Sequence, residues 1–308
     1  MAKYLDPKAD IVFKKIFTNH PHLLISFLNA VLPLPPERPI VSIEYLPAES
    51  VPEIPVFKRT VADVKCKDKL GRVFIVEMQI DWTDIFKQRL LFGASQAIVK
   101  QLHQGQVYQL LQPVYGLGII ADIIDKLDPE WYHHYRLVKT GEGREDVIEH
   151  LQLIFIELPK FKPHSREEKQ LRLLWLRFLK EVNEQTSEIP TELLDIPEIH
   201  EAAELTRQSA YTDAELEVYE QYWDSVRTEK SLLQGRYDEG QAEGEAKGLA
   251  KGLAQGLAQG KAEGLAQGKQ EGSNETIKAM AKAFKQQGVA LSVIETVTSL
   301  SRQEIEEL

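Results

Sequence analysis

The sequence is almost without cysteine: Cys66 is the only one in 308 residues. That excludes an intramolecular disulfide framework and a cysteine-built zinc site. It fits a reducing compartment, and Cys66, on an apolar alternation, reads as a core residue. Long apolar runs are missing too. No stretch approaches the ~18 residues of a membrane span, and Met1 to Asp6 opens no apolar signal segment. The expectation is a cytoplasmic chain with no membrane partner. None of the eight histidines forms an HxxxH or HExxH pattern; His20, His22, His133 and His134 read as surface or loop residues. Lys69-Leu70-Gly71-Arg72 lacks the Gly-Lys-Ser/Thr of a phosphate-binding P-loop. Basic charge is short overall, 37 Lys/Arg against 47 Asp/Glu, net −10, which argues against a protein that coats nucleic acid.

What is present is unevenly spread. Apolar residues make up 43%, enough for a sizeable core. Residues 1–120 carry 14 Lys/Arg and 11 Asp/Glu, net +3, and the rest of the chain is net −13. Nine of the 18 glycines fall between Gly240 and Gly272.

Apolar spacing predicts a helix over 10–31 with a break or restart at Pro21. A strand is expected within Ile40 to Leu46, a proline-rich loop over 47–57, and two strands within Thr60 to Ile80. A helix should follow from Asp84 to His103, then buried strands at 113–121 and 147–158. An apolar helix over 167–182 and a capped helix from Thr212 complete the pattern. The order of elements indicates an α/β core followed by a helical extension.

The stretch 60–81 reads as a hairpin. If Asp68 faces Arg72 across Lys69-Leu70-Gly71, glycine supplies the left-handed residue of a three-residue loop. Asp63 then sits opposite Glu77. One face carries Val64, Cys66, Phe74, Val76 and Met78; the other carries Asp63, Lys65, Lys67, Glu77 and Gln79. Two opposed carboxylates repel, and a divalent cation would remove that cost, carboxylates being what Mg²⁺ prefers. The alternative is a solvated polar face neutralised by the lysines. Glu77 and Gln79 lie in Phe74-Ile75-Val76-Glu77-Met78-Gln79-Ile80, apolar on both sides, and a buried carboxylate needs a partner.

At these residues the chain resembles the Rpn-type recombination-promoting nuclease and transposase family of the PD-(D/E)XK nuclease superfamily. The resemblance runs through Pro7 to Phe17, Leu23 to Leu32, Asp63 to Lys67, Val76 to Gln79, the helix carrying Arg89, Gln112 to Val114, and Ile154 to Phe161. It implies a restriction-endonuclease-like core, a central mixed sheet flanked by helices, with an α-helical C-terminal extension. It also implies metal-dependent endonuclease hydrolysis of DNA phosphodiesters, in recombination or mobile-element processes. Asp63 and Glu77 would bind Mg²⁺, with Mn²⁺ as a substitute, and Asp10 matches an acidic position on the superfamily's first helix. Gln79 stands where many members have lysine and cannot deprotonate water; Lys65, on the same face, is a candidate to supply that charge. Lys14, Lys65, Lys67 and Arg89 are candidates for contact with the DNA backbone. The rival reading is a catalytically weak DNA-binding or self-associating protein that keeps only the nuclease fold.

The expected organisation is a nuclease-like domain over 1–160, a helical extension over 161–239, the repeat over 240–272 and a small helical segment over 273–308. In the repeat, glycine recurs every four residues, and a stripe of that period drifts about 40° per step round a helix. It reads as a helical stalk for helix–helix contact or as a flexible linker. A homodimer or larger assembly is expected, since one metal site cuts one strand at a time. Tyr219, Tyr222 and Trp223 read as helix packing.

Overall fold

Pro21 divides the first apolar stretch. The computed structural model describes residues 3–47, 49–50, 60–61, 63–141, 146–162 and 170–308. The stretch forms two helices, α1 (Asp10–Asn19) and α2 (Pro21–Val31). Pro21 takes the first helical position, where its missing N–H has no intrahelical partner to lose; His20 between the helices is non-helical at φ −127°, ψ 82°.

The strands are β1 (Ile43–Tyr45), β2 (Glu49–Ser50), β3 (Thr60–Val61), β4 (Val64–Asp68), β5 (Val73–Gln79), β6 (Val114–Ile120), β7 (Tyr132–Val138) and β8 (Val147–Glu157). Helix α3 (Asp84–Val99) connects β5 to β6. Six strands form one mixed sheet in the order β1-β4-β5-β6-β8-β7, with β5, β6 and β8 parallel and the other pairings antiparallel. Two features differ from expectation. The loop expected over 47–57 holds β2, which pairs with β3 in a separate small ladder; residues 51–59 lie outside the described residues. Strand β7 has no apolar alternation because it is an edge strand, its second half exposed.

Helices α4 (Gln170–Glu181), α5 (Thr191–Leu194) and α6 (Pro197–Leu205) follow, then α7 (Asp213–Gln286), α8 (Leu291–Thr298) and α9 (Arg302–Glu307). The larger core lies where α1, α2, α4 and α6 meet Val64, Cys66, Phe74, Val76, Leu117 and Ile154. Trp175 on α4 is fully buried there and donates its indole N–H to Ser26 Oγ at 3.2 Å. The smaller core, on the other face, is α3 (Phe86, Leu90, Ala94, Ala97) against Val73, Ile75, Ile120 and Phe155. Strand β5 is therefore buried on both faces.

Two glycines of β6 set how closely α3 approaches. A Cβ on Gly116 would lie 3.1 Å from Leu90 and 2.9 Å from Leu153; one on Gly118 would lie 2.8 Å from Phe86. Only glycine lets the helix rest this near the strand. Residues next to the N-terminus are tied to much later ones: Leu5 N–H donates to Thr206 O at 2.7 Å, and Asp6 N–H donates to Tyr219 Oη at 3.0 Å.

The chain divides into two units, Met1–Lys230 and Ser231–Leu308. In the second, the glycine repeat is helical throughout as part of α7, and residues 231–276 are exposed. Nothing lies within 4 Å of where a Cβ would stand on any glycine from Gly240 to Gly272. Beyond Gly288, at φ +77°, α8 and α9 bury Ile294 and Ile305 against Ala281 of α7. Ser301 and Glu304 form a capping box on α9. Among the described residues, no helix is long and apolar enough to cross a membrane.

Candidate active site

The hairpin register is the one that the loop chemistry predicts. Val64 faces Val76, Cys66 faces Phe74 and Lys67 faces Val73, with Asp68 N–H donating to Arg72 O at 3.0 Å. Gly71, third in the loop, has φ +80°. Asp68 Oδ1 accepts from the Leu70 and Arg72 N–H groups, and its Oδ2 pairs with Arg72 Nη2 at 2.6 Å, which closes the turn. The ladder ends at Val64, one residue after Asp63. The Asp63 side chain extends it: Oδ2 accepts the Met78 N–H at 2.6 Å. The two acids thus occupy adjoining positions at one end of the hairpin.

Glu77 is 4% exposed on the face of β5 that α3 covers, beside Gly118 of β6. Its partner comes from α3. Arg89 donates to Glu77 Oε2 through Nη2 at 3.0 Å and Nε at 3.2 Å, and through Nη2 to Gln79 Oε1 at 2.8 Å. The guanidinium carbon also lies 5.0 Å from the Phe86 ring centroid, a cation–π contact one helical turn away. Gln79 donates its amide to Asp81 O at 2.9 Å, so both ends of its side chain are engaged. The cation bonded to the Glu77–Gln79 pair is Arg89, whereas Lys65 lies near enough to Lys100 for that charge to act on it.

Burial pushes the Asp63 carboxyl up to about 6; the Met78 N–H opposes this and the Asp10 charge adds to it. Burial raises Glu77 as well, with Arg89 pulling the other way and Asp63 adding to the rise. Burial and then Lys100 lower Lys65. Asp10, on the first turn of α1, pairs with Lys14 at 2.8 Å, and Lys67 pairs with Glu44 at 3.3 Å. Tyr222 of α7 was read as helix packing and does touch Trp223, ring centroids 5.3 Å apart. Its phenol is also raised by burial and then by the charges of Asp10, Asp63, Asp6 and Asp81.

This donor set fits a hard divalent cation. Its oxygens are carboxylates, and among the described residues Asp63 Oδ1 and Glu77 Oε1 accept no hydrogen bond. No group of three or more His, Cys, Asp or Glu side chains among the described residues could hold an ion. Two carboxylates with water and phosphate oxygens completing the shell is the arrangement Mg²⁺ commonly takes.

A second polar cluster lies at the same sheet end. Gln79, Ile120 and Glu157 stand in one row across β5, β6 and β8. Glu157 is fully buried. It accepts the Ile124 N–H at 2.8 Å and pairs with Lys160 at 2.9 Å and with His133 Nε2 at 2.7 Å. This corrects the reading of His133 and His134 as surface or loop residues: both lie in β7, and His134 Nε2 meets Gln152 Oε1 at 2.8 Å. No spacing in the sequence pairs His133 with Glu157, because the link is made across strands.

No curated protein and no solved structure matches this chain. The family implies nuclease-like or transposase-related activity and a DNA substrate, and its enzymes typically use divalent metal ions. The model of the PD-(D/E)XK nuclease family transposases matches residues 7–235, which take in the hairpin, both acids, Arg89 and the start of α7, and the chain belongs to that family.

Proposed function

We propose that the protein is a Mg²⁺-dependent endonuclease that hydrolyses DNA phosphodiester bonds at the end of the β4–β5 hairpin. The observation that carries this is the Asp63 carboxylate bonded to the Met78 N–H, the residue after Glu77, with one oxygen of each acid open among the described residues. Asp63 and Glu77 would hold the cation. When bound, it would acidify a water and offset charge on the scissile phosphate.

The protein's own groups do the rest. The Met78 N–H fixes the Asp63 carboxylate. Arg89 neutralises buried Glu77 until a cation does so; its donors, presented as a planar fork, then suit the phosphate oxygens. Gln79 has no titratable group, so it cannot act as acid or base, and it holds Arg89 Nη2 in position. Lys14, next to Asp10, and the lysines of β4 add positive potential along the path of the strand. Cutting both strands of a duplex calls for two such sites, and hence for two copies of the chain.

The test is nicking of supercoiled plasmid by purified protein with Mg²⁺, Mn²⁺ or EDTA. Wild type should nick with either metal. Asp63→Ala and Glu77→Ala should abolish nicking while leaving DNA binding largely intact. A wild type inactive with both metals, unchanged by the substitutions, would sink the nuclease reading in favour of a DNA-binding protein on a nuclease fold.

A further inference from the structure

The second unit carries an apolar helix face that no described residue covers. On α7, Leu249, Leu253 and Leu257 recur every four residues and are 77%, 67% and 67% exposed. The glycine before each leucine, at Gly248, Gly252 and Gly256, leaves a furrow alongside, and row and furrow line a groove of about 860 Å³.

Glycine is a poor residue inside an exposed helix, and leucines left in water gain nothing from burial. A second helix laid on this face offsets both costs. Rows of residues four apart are the ridges of an α-helix, and the spaces between rows are its grooves. Here a leucine ridge runs beside a glycine furrow of the same period. Two copies of the face fit each other, the leucines of each entering the furrow of the other, with the axes inclined by about 50°.

The ends of the ridge indicate which way the second helix runs. At the same four-residue step, Glu245 precedes the leucines and Lys261 follows them. Among the described residues neither is ion-paired. Glu245 accepts a hydrogen bond from Gln241, and the neighbouring Glu243 and Lys247 pair with each other. Glu245 and Lys261 stand about 24 Å apart along the axis, at about 1.5 Å per residue, so they cannot meet within one helix. A parallel partner in register would set Glu245 against Glu245 and Lys261 against Lys261, and like charges repel. An antiparallel partner, related by a two-fold axis near Leu253, sets each Glu245 against Lys261 of the other copy and each Leu249 beside the other's Leu257.

We propose that residues 245–261 of α7 bind a second copy of this chain as an antiparallel helix pair, leucine ridge into glycine furrow. The pairing holds whether or not the chain cuts DNA.

The experiment is sedimentation equilibrium of the full-length chain, with circular dichroism to follow helix content. Wild type should form dimers. Gly252→Leu/Gly256→Leu fills the furrow. Leucine is the better helix former, so helix content should hold or rise while the dimer is lost. Glu245→Lys and Lys261→Glu should each raise the dimer Kd about tenfold, as two exposed ion pairs become repulsive contacts. The double variant Glu245→Lys/Lys261→Glu should restore it. A short bis-maleimide reads the orientation, since Cys66 is buried. Glu245→Cys mixed with Lys261→Cys should cross-link, and neither should cross-link alone. A wild type that stays monomeric, or a dimer indifferent to the filled furrow, overturns the proposal. Cross-linking of Glu245→Cys with itself, or charge variants that leave the Kd unchanged, overturns the antiparallel pairing.

Discussion

One oxygen of Glu77, Oε2, receives two N–H groups of Arg89, Nη2 at 3.0 Å and Nε at 3.2 Å, so the guanidinium already offsets the charge that a cation on Oε1 would meet. Arg89→Met removes both a partner and a competitor. Metal-free, it should lose about 1–3 kcal/mol of stability, because charged hydrogen bonds are lost and Glu77 stays buried. Mg²⁺ should raise its melting temperature more than that of wild type, and calorimetry should give a lower Kd for Mg²⁺, while plasmid nicking slows. An unchanged Mg²⁺ affinity would mean that Arg89 does not compete for the site.

Asp63 makes stability depend on pH in an unusual direction. Its carboxyl titrates near about 6 in the folded protein against an ordinary 3.8. Between those values the folded chain keeps a proton that the unfolded chain has released. Its contribution to stability therefore falls as pH climbs from about 4 through about 6, and stays low above that. Asp63→Asn lacks this loss. The melting temperature of Asp63→Asn minus that of wild type, in EDTA, should grow over that window and then level off. Mg²⁺ affinity of wild type should rise over the same window. A difference that is flat with pH would contradict the buried carboxyl.

Gly118→Ala should disturb the site without touching a charged group. The new Cβ would meet Phe86 at 2.8 Å, and Phe86 is three residues from Arg89 on α3. Overpacking of this kind costs about 1–3 kcal/mol, seen as a lower denaturant midpoint, and displacing α3 should slow nicking. Gly93→Ala is the control. It lies on the same helix with nothing within 4 Å of the added carbon, and should stabilise by about 0.5–1 kcal/mol.

Glu157→Gln leaves Lys160 without its buried counter-ion. Breaking such a pair costs about 3–5 kcal/mol, so the melting temperature should drop sharply. At low temperature, Mg²⁺ affinity should match that of wild type. A lost Mg²⁺ site in a folded variant would give this cluster a role in the chemistry.

How much of this the sequence revealed depends on the distance over which each signal acts. The hairpin register was legible because Gly71, the flanking Asp68 and Arg72, and the alternation of Val64 and Cys66 all act within 20 residues. The mixed sheet with flanking helices followed from apolar runs such as Val114 to Ile120. Strand β7 was not legible, because at the sheet edge Tyr132 to Val138 needs no alternating apolar face. The Arg89–Glu77 pair was missed because it depends on how α3 rotates over β5, which Gly116 and Gly118 set from a third element. Tyr222 was read correctly as a packing residue, but no local pattern shows that the charges of Asp10, Asp63, Asp6 and Asp81, from distant parts of the chain, act on its phenol.

The bond from Asp6 N–H to Tyr219 Oη spans 213 residues. During synthesis, at about 5–20 residues per second, the first of these residues leaves the ribosome about 10 s or more before the second. From the emergence of Glu77 to that of Tyr219 the hairpin acids exist, but the strap that ties the start of the chain, next to Asp10, to α7 does not. A chain caught midway through translation, or truncated before Tyr219, would lack that closure, so the tie between the start of the chain and α7 belongs to chains synthesised past Tyr219 and not to shorter nascent fragments.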